Sequence, residues 1–204
     1  MGQYYCVALK DSNGFKVSHR RVRGEDYIFA KLMEHSWMKN ILMDNVAAYM
    51  FNDKINLAWV GDYAEQDEIR DIIGVSYDDI WGENVKEFTF PNMIKRVCDV
   101  NGKYVFFKYR GRCLINHTKK EYISFDDYIN TIKEREGKRQ TWIVNPISLL
   151  TAIGNGRGGG DYRGLNEDKV GIWAWDVLEI VNKSKVPNDY EKRQDIMFIE
   201  EKYI

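Results

Sequence analysis

The stretch Gly154-Asn155-Gly156-Arg157-Gly158-Gly159-Gly160-Asp161-Tyr162-Arg163-Gly164 most limits what this chain can fold into. Six of its eleven residues are glycine, out of 16 in the whole sequence. Glycine at this density costs ordering entropy, so an ordered loop here needs an offsetting gain. Successive N–H groups unobstructed by Cβ form a concave nest for an anion. Arg157 and Arg163 add fork-shaped donors suited to phosphate or carboxylate. Asp161 and Asn155 are suited to accept from a ribose hydroxyl, and Tyr162 to stack on a base. Trp142, Trp173 and Trp175 stand nearby in sequence. Gly154-x-Gly156-x-x-Gly159 fits a dinucleotide-binding fingerprint in letters only. That reading requires a helix to open at once within a strand–helix–strand unit, and residues 161–166 have no helical apolar period. A P-loop is excluded because Gly160-Asp161 stands where Gly-Lys-Ser/Thr is needed.

Hydrophobic periodicity supplies the rest of the architecture. Gln3–Lys10 and Phe15–Val22 flank Asp11-Ser12-Asn13-Gly14, a hairpin signal in which Asn and Gly both tolerate positive φ. From Asp26 to Phe51 apolar residues recur every three or four positions, which predicts one helix, or two broken near Asn40. Ile55–Val60 reads as a buried strand ending at Gly61-Asp62-Tyr63, followed by an acidic loop with a short helix. Lys103–Tyr109, Cys113–Asn116 and Glu121–Ser124 read as an antiparallel meander turned at Asn101-Gly102 and Gly111. Ser124 caps a helix from Phe125 to Glu136. Pro146 argues against a central strand throughout Trp142–Ile153. Val170–Val181, with Trp173 and Trp175 on one face, and Asp195–Ile204 read as strands. Helices between hairpins predict an α+β fold: a mostly antiparallel sheet with hairpins, packed by two or three helices. Residues 1–204 read as a single globular domain, since the chain's 204 residues and 44% hydrophobic content suffice for one core.

Charge excludes a wholly basic nucleic-acid coat, because the net charge is −1. The balance is segregated, however. Lys103–Lys120 holds six basic residues and no acid, while Gly61–Phe90 holds nine acids against Arg70 and Lys86. These are either two solvated faces or a basic sheet face that attracts an anion. Phe107 and Tyr109 interleave with the basic residues, but the RNA-recognition signature is absent and nucleic acid is not favoured. Cys6, Cys98 and Cys113 are odd in number and without metal spacing, which predicts a reducing cytosol and no metal site. The N-terminus lacks a signal peptide pattern, and Cys6 stands where a myristoylation signal needs Ser or Thr. No apolar run approaches the ~20 residues that span a bilayer, so no membrane contact is expected.

Catalytic candidates are few. The histidines are His19, His35 and His117. His35 shares a helical face with Lys31 and Lys39. Cys113 and His117 lie ~13 Å apart if one strand carries both, too far for a hydrogen bond; a turn at Asn116–Lys119 would let them approach. Glu34, His35, Asp62 and Asp161 are the candidate acids and bases.

The combination of Met1-Gly2-Gln3-Tyr4-Tyr5, Lys31-Leu32-Met33-Glu34-His35-Ser36, Trp59-Val60-Gly61-Asp62-Tyr63-Ala64, Asn116-His117-Thr118-Lys119-Lys120-Glu121-Tyr122 and Gly154–Gly164 resembles a family of small bacterial and bacteriophage proteins. The resemblance runs along nearly the whole chain. It implies a cytoplasmic bacterial or phage setting and brings no activity with it. Phage proteins of this size often counter host defence, and one class sequesters a nucleotide-derived immune signal; that comparison is an analogy.

The leading expectation is a cofactor-free binder of a small phosphorylated, nucleotide-like ligand. Asn155, Arg157, Gly158, Gly159, Gly160, Asp161, Tyr162 and Arg163 would hold it, with His35, Asp62 and His117 as further contacts. One alternative is a nucleotide-derivative hydrolase using the same loop. Another is a protein-binding inhibitor that presents its acidic stretch to a host defence protein. Self-association is a further partner expectation.

Overall fold

The apolar run Ile55–Gly61 is buried at every residue except Asn56. A strand reads this way when both faces of its sheet are covered. The computed structural model describes residues 1–18, 31–38, 40–86, 88, 90, 107–136 and 143–200. Its strands and helices, in chain order, are β1 (Tyr5–Asp11), β2 (Gly14–Ser18), α1 (Leu32–His35), α2 (Ile41–Tyr49), β3 (Ile55–Gly61), α3 (Gln66–Ile73), α4 (Asp78–Trp81), β4 (Arg112–Asn116), β5 (Glu121–Ser124), α5 (Phe125–Glu136), α6 (Pro146–Leu150), β6 (Ala152–Ile153), β7 (Gly164–Leu165), β8 (Val177–Asn182), β9 (Glu191–Lys192) and β10 (Ile199–Glu200). The sheet runs β2-β1-β3-β8-β4-β5-β9, with β6 added to β3. Its pairings are antiparallel except β3–β6 and β5–β9. The fold is therefore α+β with a mostly antiparallel sheet, as the hairpin pattern predicts. Among the described residues, α2, α3 and α5 are the helices of eight or more residues.

Side-chain alternation divides the core in two. Val7, Leu9, Leu57 and Trp59 face a large cluster completed by Met43, Val46 and Met50 of α2, Phe125 and Ile129 of α5, and Leu149 of α6. Cys6, Ala8, Ala58 and Val60 face the other way, against Ile69 and Ile73 of α3 and Ile80 of α4. The Asn40 break is real: its side chain accepts from Leu42 N and starts α2. Asn145 starts α6 in the same way, with Pro146 in the first turn. Ser124 Oγ accepts from Asp127 N at 3.4 Å at the start of α5.

Two strand expectations need correction. Within Val170–Val181 the strand begins only at Val177, and it runs on to Asn182. The residues before them make a turn whose N–H groups bond outward, Gly171 to Leu149 O, Trp173 to Leu150 O and Trp175 to Leu57 O. Gly171 (φ +79°) and Trp175 (φ +63°) have left-handed backbones, and a Cβ on Gly171 would strike the Ala152 carbonyl. This turn fills the gap where β8 leaves β3 and β6 enters. Trp173 is wholly buried within it, so the two tryptophans do not share a strand face. The meander also differs: β4 lies between β5 and β8, and Phe107–Tyr109 is not strand. Residues 101–106, with the Asn101-Gly102 turn, lie outside the described residues, as do His19, Cys98 and Trp142. Of the expected last strand, Asp195–Ile204, only β10 is formed within the described residues.

The β1–β2 hairpin is locked at its end by Asp11. Its carboxylate accepts from Lys16 Nζ and from the Tyr49 hydroxyl of α2, and from Asn13 N at 2.7 Å. Desolvation raises the Asp11 carboxyl, but these donors outweigh it and hold the group at about 2, against an ordinary 3.8. A folded-state value below the unfolded one gives stability that is complete above the unfolded range and lost as pH falls through the folded value. Asp11→Asn should therefore cost about 1–2 kcal/mol at neutral pH. It should also flatten the acid limb of urea-denaturation stability between pH about 4 and about 2.

Candidate functional site

The Gly-rich loop sits at the end of β3, where Tyr5 of β1 pairs with Gly61 and β6 runs beside Val60. It does form an anion nest, and the anion in it is the chain's own Asp161. Asp161 Oδ2 accepts from Gly156 N and Gly158 N, both at 2.8 Å. Asp161 Oδ1 accepts from the Tyr5 hydroxyl at 2.9 Å. Gly154, Gly156 and Gly160 have φ near +90°, the conformation that lets the loop turn its N–H groups inward. Asn155 closes the loop through both atoms of its amide: Nδ2 donates to Tyr162 O at 3.1 Å and Oδ1 accepts from Tyr162 N at 2.9 Å.

The N-terminus and α1 clip onto this loop. Gly159 N donates to Met1 O, Gln3 N to Gly159 O, and Met33 N to Gly160 O, at 2.9–3.0 Å. Backbone contact thus brings α1, which carries Glu34 and His35, against the loop; the side chains of those two residues lie outside the described set. Gln3 is fully buried, and neither atom of its amide has a hydrogen-bond partner among the described residues. A Cβ on Gly61 or Gly158 would collide with Gln3, and one on Gly154 with Ala64. A buried amide left unsatisfied is costly and uncommon in a native fold.

Several expected ligand contacts have structural partners instead. Tyr162 is wholly buried, so it cannot stack on a ligand. Its single hydroxyl hydrogen lies between Leu165 O (2.6 Å) and Ile199 O (2.9 Å), while its oxygen accepts from Ile199 N (2.7 Å). Asp161 is 8% exposed and holds the nest, so it does not read ribose. Arg157 donates to Tyr63 O at 3.2 Å and pairs with Glu65 at 3.4 Å and Glu68 at 2.9 Å. The Glu68 contact is an ion pair without hydrogen-bond alignment. Arg163 is exposed.

Asp62 lies at the rim, half-buried, accepting from Tyr4 N at 3.0 Å. Desolvation raises its carboxyl, the hydrogen bonds from Tyr4 and its own backbone oppose this, and the charge of Asp161 adds to the rise. The Tyr5 hydroxyl is raised well above its ordinary range by burial, then by Asp161. Tyr4 and Tyr63 flank Asp62 and are 38% and 37% exposed. Lys31 Nζ stands 5.8 Å from the Tyr4 ring centroid. This aromatic and cationic rim carried no sequence signal beyond adjacency to Gly61-Asp62. It emerges only because β1 and β3 end together.

His117 belongs to a different network. Its Nε2 meets Glu179 Oε2 and its Nδ1 meets the Tyr190 hydroxyl, both at 2.8 Å. His117 N donates to Val177 O, and Val177 lies opposite Asn56 at the start of β3. The loop is at the other end of that strand, roughly 15 Å away, so His117 is not a loop contact. Its neighbours are equally committed. Asn116 donates to Asp176, Thr118 Oγ1 accepts from Val177 N, and Lys119 pairs with Asp176. Lys120 pairs with Asp189, and Glu121 accepts from Trp173 Nε1 and Arg193. The motif at 116–121 is a polar fastening of the β4–β5 hairpin. A Cys113–His117 pair is excluded, since both ring nitrogens are engaged and burial pushes the Cys113 thiol up to about 11.

Local contacts engage part of each charged segment. Arg112 lies over the Phe51 and Phe107 rings at 4.0 and 4.3 Å, and Arg110 pairs with Asp126. In the acidic stretch Asp67 pairs with Arg70, and Asp79 accepts from Ser76. Among the described residues, no group of three or more His, Cys, Asp or Glu is placed to hold a metal ion, and no helix is long and apolar enough to cross a membrane. In comparison with known proteins, no family model, curated protein or solved structure matches this chain.

Two neighbouring glycines separate the roles of shape and flexibility. A Cβ on Gly158 would collide with Gln3, whereas one on Gly159 would meet Met1 O at an ordinary 3.4 Å. Gly158→Ala should cost about 2 kcal/mol or more, and Gly159→Ala should stay within about 0.5 kcal/mol, in denaturant unfolding.

Proposed function

We propose that this chain binds a small phosphorylated, nucleotide-like ligand on the outer rim of the Gly-rich loop and leaves it intact. The observation that carries the reading is the pair of exposed tyrosines, Tyr4 and Tyr63, bracketed by Lys31 and Arg157. An exposed aromatic ring offers a stacking face for a base. Lys31 and Arg157 are donors for phosphate, with Arg163 as a further exposed cation. Arg157 is held by Glu68, whose side chain is 30% exposed, and by Glu65, whose side chain is 75% exposed; the Glu65 pair contributes little and exchanges readily for a phosphate. The internal Asp161 latch keeps the backbone beneath this rim fixed, which lowers the ordering cost of binding. Sequestration of a host immune signal by a phage protein rests on analogy alone.

A second reading is hydrolysis of the same ligand. The raised carboxyl of Asp62 favours it, because a carboxyl biased toward its protonated form is suited to general-acid work. Calorimetry with a panel of linear and cyclic nucleotides, followed by mass spectrometry of the recovered ligand, separates the two. Binding should weaken at least tenfold, or about 1.4 kcal/mol, in Tyr63→Ala and in Arg157→Ala, with the nucleotide recovered whole. Cleavage that Asp62→Asn abolishes would establish the hydrolase. Absence of binding across the panel, or binding indifferent to both substitutions, contradicts the rim site.

A further inference from the structure

β5 and β9 run parallel, with Glu121 beside Glu191 and Tyr122 beside Lys192. They then separate. β5 continues directly into α5, whereas the chain after Lys192 turns away through residues 193–198. Here the fork holds a groove of about 390 Å³, within the ~300–1,000 Å³ usual for small ligands.

The groove has an apolar floor of Ile123, Ile196 and Met197, the first two buried. Its charged groups reduce to one pair. Arg193 lies in the wall but is committed to Asp195 and Glu121. Asp127 of α5 and Lys192 of β9 face each other across the groove as an ion pair, with side chains 45% and 33% exposed. The Asp127 carboxyl is lowered and the Lys192 ammonium raised, in each case chiefly by their close mutual contact. Thr131 donates its hydroxyl hydrogen to Asp127 O at 2.8 Å, which leaves its oxygen facing the groove as an acceptor.

We infer that this groove binds a zwitterionic α-amino acid with an apolar side chain. Its ammonium and carboxylate, one carbon apart, match the adjacent carboxylate of Asp127 and ammonium of Lys192. The pair is only part-exposed, so opening it must be offset, and the ligand offsets it by forming two new pairs in its place. The ligand's side chain lies against Met197, the part-exposed residue of the floor, and the burial of its own apolar surface there supplies a hydrophobic gain. A simple anion or cation would engage one partner and leave the other charge uncompensated beside it. This site is independent of the rim around the Gly-rich loop.

The test is calorimetry of the full chain with leucine, methionine and phenylalanine, each alongside its N-acetylated and C-amidated form. At least one free amino acid should bind, and blocking either end should weaken it at least tenfold. Asp127→Asn and Lys192→Gln should each weaken it at least tenfold as well, with circular dichroism and melting confirming that both variants fold. Thr131→Leu, which fills the groove while leaving both charges in place, should also abolish binding. The inference is overturned if none of the three binds at about 10 mM, enough to saturate a site of ~1 mM Kd. It is equally overturned if blocked and free forms bind alike.

Discussion

The Asp161 carboxylate joins parts of the chain that are far apart in sequence. It takes two backbone N–H groups from its own loop and the hydroxyl of Tyr5, 156 residues away in β1. Hydrogen bonds to an ionised group contribute about 1.5–3 kcal/mol each, and burial removes the competition from water. The loop's glycines are thereby explained. They supply the left-handed turns and the close approach to Gln3 that a Cβ would prevent. The ordering cost of the loop is offset within the molecule, so a ligand is not required to account for its sequence. The proposed ligand would use the outer surface on either side of Asp62, which carries the exposed Tyr4 and Tyr63.

Both ends of the sheet follow one logic. A sheet buried on both faces leaves its strand ends and turns to carry the polar residues, and those residues fasten the turns to one another. At one end the nest holds the Gly-rich loop. At the other, His117 is held between Glu179 and Tyr190 while Lys119 and Asn116 hold Asp176. The second network looks catalytic in composition, but each of these side chains has a partner within it.

The sheet's hairpins, the helix break at Asn40 and the cap at Ser124 were readable because each depends on local chemistry and on a clear period. The α+β class followed from them. The Val170–Asp176 turn was not readable, since its apolar run reads like a buried strand and only the outward bonding of Gly171, Trp173 and Trp175 makes it a wedge. The Gly-rich loop was half readable. Its nest was evident from composition, whereas the identity of the anion depended on a tertiary contact with Tyr5. Tyr162 has the composition of a stacking residue, and its burial beneath β7 and β10 is a property of the fold alone. The rim tyrosines were missed because nothing local distinguishes them from core aromatics.

Chemical rescue tests the central claim, that the nest requires an anion and that Asp161 supplies it. Asp161→Ala would be melted in sodium formate or acetate and in sodium chloride of equal ionic strength, beside the unsubstituted chain. The account predicts that the variant loses stability, that formate or acetate restores part of it, and that the unsubstituted chain does not respond. A variant as stable as the parent, or one indifferent to small carboxylates, would contradict the account.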